Sequence, residues 1–568
     1  MKKDMKSLLG YGLVLTMLLS QSCEQKSVQT VTVVDETAVL YEGLEFDMPK
    51  VQAPTFADYE VSIVDFGAVG DGLTENSAAI NKAITQVAEH GGGQVTIPFG
   101  IWLTGPITLQ SNVNLHTERG ALVQFSDDFD LYPIVEISFE GLETYRCLSP
   151  IHGKNLTNVA ITGQGVFDGA GDSWRPVKKS KLTEAQWKEF VRRKGVLSDD
   201  EQTWYPSEKS KKGDTAGNFN VPDLNSLAEF EEVKDFLRPV MVSIISSDKV
   251  LLDGPTFQNS PAWNLHPLMC ENVILRNLTI RNPWYSQNGD GVDLESCKNV
   301  LIYNNSFDVG DDAICFKSGK DEDGLKRGIP TENVIVRDNI VYHGHGGFVI
   351  GSEMSGGVKN VQVSHCTFIG TDCGLRFKST RGRGGVVEDI YISDIDMINV
   401  GAEAIRFNLF YGGESPVASD GSVGKEMVAS DKVEVSVTTP SFKNIYIRDV
   451  RSTGSGIAAY FQGLPEMKLK NIQLENVMLE AERGITLIDA DAISFKNVSI
   501  KQEKGSAITA FNTTGLTLDG LLIESESKDS PIQVYGKETR NFVLSNSLVT
   551  DKDVLIGNEV DLKTIDVN

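Results

Sequence analysis

The sequence predicts an all-β solenoid, a parallel β-helix closed at its N-terminal end by one helix. Three observations carry that expectation. A short unit of Asn, a β-branched residue, one polar position and another apolar residue recurs along the chain, as in Asn272-Val273-Ile274-Leu275 and Asn333-Val334-Ile335-Val336. Its clearest copies start at Asn272, Asn299, Asn333 and Asn360, with intervals of 27, 34 and 27 residues, a spacing typical of repeat architectures. Hardly any helical period separates the copies, which disfavours leucine-rich or helical repeats. In stacked coils the apolar residues point inward, and each turn Asn can bond its counterpart in the next coil.

Residues 1–22 carry Lys2 and Lys3 ahead of an apolar run from Leu8 to Leu19, the pattern of an export signal. Cys23 closes it and resembles the lipid-attachment cysteine of bacterial lipoproteins, although Ser20 stands where that pattern usually has Leu, with Leu19 one place earlier. The expectation is an exported lipoprotein, periplasmic or on the cell surface of a Gram-negative-type envelope, with residues 23–57 as a tether. An ordinary cleaved signal with an incidental Cys is the alternative.

From residue 58 onward the chain reads as one domain. Val61 and Ile63 suggest a first strand, and Ala79, Ile80, Ala83, Ile84 and Val87 have a 3.6-residue period. Asn76 is the expected N-cap, and Gly91-Gly92-Gly93 ends the helix. A helix here covers the strand edges that a first coil exposes. Residues 170–238 interrupt the repeat. Thr183 and Gln186 form a capping box there, Trp187, Phe190 and Val191 an apolar stripe, and Gly195 a stop. Residues 412–441, rich in Gly, Ser and Val, read as a long loop. Such insertions emerge on one face of a solenoid and often wall its binding site.

The formal charge of −25 on 568 residues excludes a general nucleic-acid binder, which needs a basic face. Cys147, Cys270, Cys297, Cys315, Cys366 and Cys373 form no CxxC pair and no metal-ligand spacing, so they are expected as small core residues.

Against that acidic background one constellation stands out. Asp290 lies in Asn288-Gly289-Asp290, and Asp311 and Asp312 follow Gly310 about one coil later. His345, between two glycines, comes one coil further on, and Arg376 and Lys378 one coil after that. Arg376 and Lys378 share a strand face, whereas Asp311 and Asp312 reach one cleft only if Gly310 opens a bend. Crowded carboxylates serve acid/base hydrolysis of a glycosidic bond, and a cationic row through Arg381, Arg383 and Arg406 suits a carboxylated substrate. His345 is placed to hydrogen-bond the carboxylates and hold their protonation states.

These motifs resemble those of the polygalacturonase family of glycoside hydrolases, family 28, with Asn288-Gly289-Asp290, Gly310-Asp311-Asp312, Gly344-His345-Gly346 and Arg376-Phe377-Lys378 in order. Tyr411 matches the family's active-site tyrosine more loosely. Gly289 stands where that family usually has Thr, and Phe377 where it usually has Ile. The resemblance implies a right-handed parallel β-helix that hydrolyses α-linked galacturonate with inversion. Asp311 is then the general acid, and Asp290 and Asp312 activate water. Asn288, Arg376, Lys378 and Tyr411 bind the sugar. No metal or organic cofactor is implied. The partner is a pectic polysaccharide or oligogalacturonide, the chain is expected to act as a monomer, and the insertion at 170–238 points to exo action by closing one end of the cleft. Alternatives are a rhamnogalacturonan hydrolase, a calcium-dependent pectate lyase on the same fold, and a surface lipoprotein that binds glycans without cleaving them.

Overall fold

The computed structural model describes residues 37–218, 220–412 and 431–567. The expected signal, Cys23 and most of the second insertion lie outside them. The chain divides into two units, Met1–Gly43 and Leu44–Asn568. In the first, the described residues hold one 3₁₀ turn, Ala38–Tyr41; everything below concerns the second.

Thirty-five of its strands form one parallel system in which strands pair with their counterparts one coil along, and the others make a three-stranded and a two-stranded antiparallel sheet. Val250, Val273, Val300, Val334, Val361 and Ile390 follow one another in register and are all buried. That column is the β-branched position of the repeat unit. The Asn beside it adopts a left-handed conformation, with φ of 54° at Asn272, 57° at Asn299 and Asn333, and 54° at Asn360, which a short amide side chain tolerates. Asn333 donates to Asn299 at 3.1 Å, Asn360 to Asn333 at 3.1 Å and Asn471 to Asn444 at 2.9 Å. The expected ladder is present, with acids completing it where Asn272 donates to Asp248 and Asn299 to Glu271.

Helix α1, Ser77–Glu89, buries Ile80, Ala83, Ile84 and Val87 against the first coils. Asn76 occupies the N-cap position but makes no capping bond. Its side chain instead ties Val69, Thr74 and Leu103 together, because tertiary partners outbid the local one. Residues 44–57, expected as tether, have no regular secondary structure and touch the turn ladder: Glu45 pairs with Arg448 and the amide of Gln52 donates to Asn272.

The first insertion has cores of its own. Helix α2, Glu184–Arg192, has the expected capping box, and Trp187 and Phe190 are buried with Trp204 and Val177. It stops short of Gly195, and Val191 is exposed. A hairpin that the repeat pattern hid, Ile134–Phe139 with Leu142–Cys147, packs beside the insertion through Cys147, Trp174, Phe230 and Phe236. All six described cysteines are buried and free, as small apolar residues would be.

Candidate active site

Successive coils carry the three acids to one place. Val292 pairs in register with Ile314, so Asp290 and Asp312, each two residues earlier, stand at corresponding positions of neighbouring coils. Asp312 begins its strand, and Asp311 sits in a bend before it, where its carboxylate accepts the Asp312 amide at 3.0 Å. The bend expected after Gly310 is therefore what aims both side chains into the cleft. One carboxylate oxygen from each of Asp290, Asp311 and Asp312 lies within 4.8 Å of the others. Asp290 and Asp312 are 3% and 1% exposed, whereas the Asp311 side chain retains 21%.

Two strands further along, Arg376 and Lys378 reach back to this group. Lys378 Nζ donates to Asp312 Oδ2 at 2.7 Å, and Arg376 Nη1 to Asp312 Oδ1 at 3.2 Å. Gly346 is required by Val349, from which a Cβ there would stand 2.3 Å, while Arg376 Cδ would remain at an ordinary contact distance of 3.5 Å. The Tyr411 ring faces both cations, 5.0 Å from Lys378 Nζ and 5.8 Å from Arg376 Cζ. The expected cationic row is shorter than its sequence. Arg381 pairs with Glu466, Arg383 with Asp321 and Arg406 with Glu403, so these three are neutralised within the protein.

His345 Nδ1 lies 3.1 Å from Asp311 Oδ1. Burial alone would raise the proton affinity of Asp311, but the His345 contact, with the charges of His345, Lys378 and Arg376, holds it well below the usual carboxylate range. The same hydrogen bond raises His345 above its ordinary value of 6.5 against the opposing effect of burial. Of the three clustered acids, Asp290 is the one whose proton affinity rises, first through burial and then through the charges of Asp293 and Asp311; Asp293 behind it is raised as well, first through burial. Asp311, which the family resemblance makes the general acid, is thus the lowered carboxyl in the resting structure, and Asp290, a raised one, has no imidazole beside it.

Several residues behind this front escaped the sequence reading. Asp293, fully buried, lies 3.4 Å from Lys317, which also binds Glu353 at 2.9 Å. Asp293 was visible in Asn288-Gly289-Asp290-Gly291-Val292-Asp293, and its fixed three-residue distance from Asp290 was the available signal. Arg238, 1% exposed at the end of the first insertion, donates to the Asn288 side chain at 3.0 Å and to the Gln287 carbonyl at 2.8 Å. Asn288, expected on the substrate, is thus also the point at which the insertion grips the loop that leads to Asp290. Nothing in the sequence marked Arg238.

The two departures from the family pattern have local explanations. Residues 283–287 fold over the catalytic motif, and a Cβ on Gly289 would stand 1.9 Å from Ser286 Oγ, so no side chain fits. Phe377 points into the core, fully buried and stacked on Phe407 at 4.3 Å. It does not face the cleft.

A buried carboxylate group beside two cations, open to solvent through Asp311 on the flank of a parallel solenoid, defines a carbohydrate-processing site of the acid/base type. Three clustered carboxylates also have cation-site spacing, but Lys378 and Arg376 already place two positive charges on Asp312, and Ca²⁺ takes about six to eight oxygens. The profile of glycosyl hydrolases family 28 matches residues 228–482, and that of rhamnogalacturonase A/epimerase, pectate lyase-like, matches residues 60–121. The exopolygalacturonase of Thermotoga maritima is 33% identical, with 79% of this chain and 94% of that one covered at a TM-score of 0.64. The exo-poly-alpha-D-galacturonosidase of Dickeya chrysanthemi is 27% identical, over 81% of this chain and 74% of its own length. The endo-polygalacturonase of Pectobacterium carotovorum subsp. carotovorum is 25% identical, over 75% and 87%. The chain belongs to glycosyl hydrolases family 28. It is a glycoside hydrolase on a right-handed parallel β-helix.

Proposed function

We propose that this enzyme hydrolyses α-linked galacturonic acid bonds of pectin with inversion, acting from chain ends, with Asp311 as general acid and Asp290 and Asp312 activating water. The observation that carries this reading is the approach of three carboxylates to within 4.8 Å beside Lys378 and Arg376. One water bonded to two carboxylates at about 2.8 Å spans up to about 5.6 Å, so Asp290 and Asp312 can share it. The acid and base of an ordinary inverting pair stand roughly 6.5–9.5 Å apart; the 4.8 Å here is the limit between single oxygens of the three carboxylates, and the inverting outcome rests on the family resemblance rather than on this spacing.

In the reaction Asp311 protonates the leaving glycosidic oxygen as its bond to the anomeric carbon breaks. The water oxygen bonds that carbon from the other face, and its proton passes to the Asp290 and Asp312 pair. The Asp311 and His345 pair titrates as a unit, and the proton His345 retains is the one Asp311 delivers. Arg376 and Lys378 hold the sugar carboxylate over the Tyr411 ring, sharing their donors with Asp312, and Asn288 borders the same loop. Similarity to the Thermotoga maritima exopolygalacturonase and the wall made by the first insertion support chain-end attack.

Digesting homogalacturonan and rhamnogalacturonan in parallel, and sizing the products over time, tests the assignment. Saturated galacturonate or short oligomers from homogalacturonan alone are expected. A ladder of intermediate oligomers overturns exo action, and an unsaturated ultraviolet-absorbing end overturns hydrolysis. We also infer lipid anchoring at Cys23 in an exported monomer; acyl labelling that persists in Cys23→Ser contradicts the anchor.

A further inference from the structure

Hydrolysis between two uronates leaves one carboxylate on each side of the scissile bond, yet Arg376 and Lys378 provide for only one. A second recess adjoins Asp311 and His345 on a wall that Arg376, Lys378 and Tyr411 do not share. It is a cavity of about 120 Å³, lined by Lys178 and Lys181 from the first insertion and by Trp284 and Ser286 from the loop before Asp290. Trp284 is 52% exposed, which leaves part of its ring open to a ligand in the recess. Both lysines are exposed, and neither has an acid partner among the described residues. The Ser286 hydroxyl is 1% exposed and has no hydrogen-bond partner among the described residues.

This wall is built rather than incidental. Trp284 stands edge-on to Tyr285 at 5.8 Å, and Tyr285 packs on Phe190 of α2 at 6.1 Å, so the loop and the insertion share one aromatic cluster. Ser286 is seated over Gly289 and Gly310, and its Oγ would lie within 2.3 Å of a Cβ on Gly310. The absence of side chains at both positions in the catalytic motifs is what admits the loop. The recess is therefore tied to the acids on one side and to the insertion on the other.

We propose that this recess is a second uronate subsite, across the scissile bond from Arg376 and Lys378, in which Trp284 stacks on the sugar face and Lys178 and Lys181 pair with its carboxylate. It rests on the reading of the substrate as a galacturonate oligomer. A sugar ring presents an apolar face that an indole covers, while the lysines supply charge and the Ser286 hydroxyl supplies orientation. In a chain of net charge −25, two local cations also offset repulsion of a polyanion at the cleft mouth.

The test is steady-state kinetics on trigalacturonate with the full chain, comparing wild type, Trp284→Ala, Lys178→Ala/Lys181→Ala and Lys178→Arg/Lys181→Arg. Each alanine variant is expected to lower kcat/KM about tenfold or more, mainly through KM, and the double arginine variant to stay within about threefold of wild type. At about 0.5 M salt, which screens the exposed lysines, the double alanine variant should approach wild type on trigalacturonate while Trp284→Ala remains impaired. Wild-type kinetics in both alanine variants, with trigalacturonate turned over normally, overturn the subsite and leave the hydrolase reading standing. If wild type leaves trigalacturonate and polygalacturonate intact, the functional reading falls and the subsite with it.

Discussion

The two walls beside the three clustered acids are made by different means. Arg376 and Lys378 project from a strand, their side chains 16% and 9% exposed, and bond Asp312 directly. Lys178, Lys181 and Trp284 are exposed and belong to an insertion and a loop. Stacking fixes the first wall to a fraction of a residue, because any slip in register moves every side chain on the strand. The second is held by an aromatic cluster and by Arg238, so it can vary without disturbing the coils. The strand wall suits the chemistry, and the inserted wall suits the choice of substrate.

The comparison breaks most severely at the acids. Asp311→Asn should lower kcat about 10³-fold with little change in KM, since a positioned acid contributes about 10² to 10⁴; single-turnover rates check this. Lys378→Met removes one cation from a buried carboxylate and should cost about 3 kcal/mol of stability, seen as a lower Tm, whereas Lys178→Met should leave Tm unchanged. Gly289→Ala drives a Cβ into Ser286 and should cost about 1–3 kcal/mol. Pairing it with Ser286→Gly should recover part of that loss.

A fourth expectation concerns pH. The affinity of His345 is raised, so its contribution to stability is complete below 6.5 and is lost as pH rises through the raised value. The affinity of Asp311 is lowered, so its contribution is complete above 3.8 and is lost as pH falls through the lowered value. The pair therefore supports the fold between those limits. The alkaline limb of kcat/KM should lie above 6.5, and His345→Gln should abolish that limb; a profile unchanged by the substitution contradicts the proton-holding role. The smallest difference is in salt. At about 0.5 M salt the exposed lysines should lose most of their effect on KM through screening, while buried Lys378 keeps its own.

The solenoid and the strand wall were legible because both are periodic. Asn272, Asn299, Asn333 and Asn360 announce each coil, and Asp290, Asp312 and Arg376 inherit their positions from that count. What escaped depends on partners distant in sequence. Arg238 reads as one charge among many until its guanidinium is found under Asn288. Asn76 looks like a helix cap, but the backbone of Leu103, 27 residues away, claims its amide. Phe377 showed in the sequence only as a departure from the family's usual Ile, because a period-two strand does not announce which face is inward; its stack on Phe407 does. Gly289 showed in the sequence only as a departure from the family's usual Thr, and its reason, the space that Ser286 occupies, lies in a neighbouring loop.

The central claim is that water held between Asp290 and Asp312 attacks opposite an Asp311-protonated leaving group. Proton NMR of trigalacturonate hydrolysis in the first minutes reads the new anomeric centre before it mutarotates. Inversion of an α bond predicts that the β anomer appears first, with saturated sugars at both new ends. Initial α anomer, or an unsaturated product, would contradict the account.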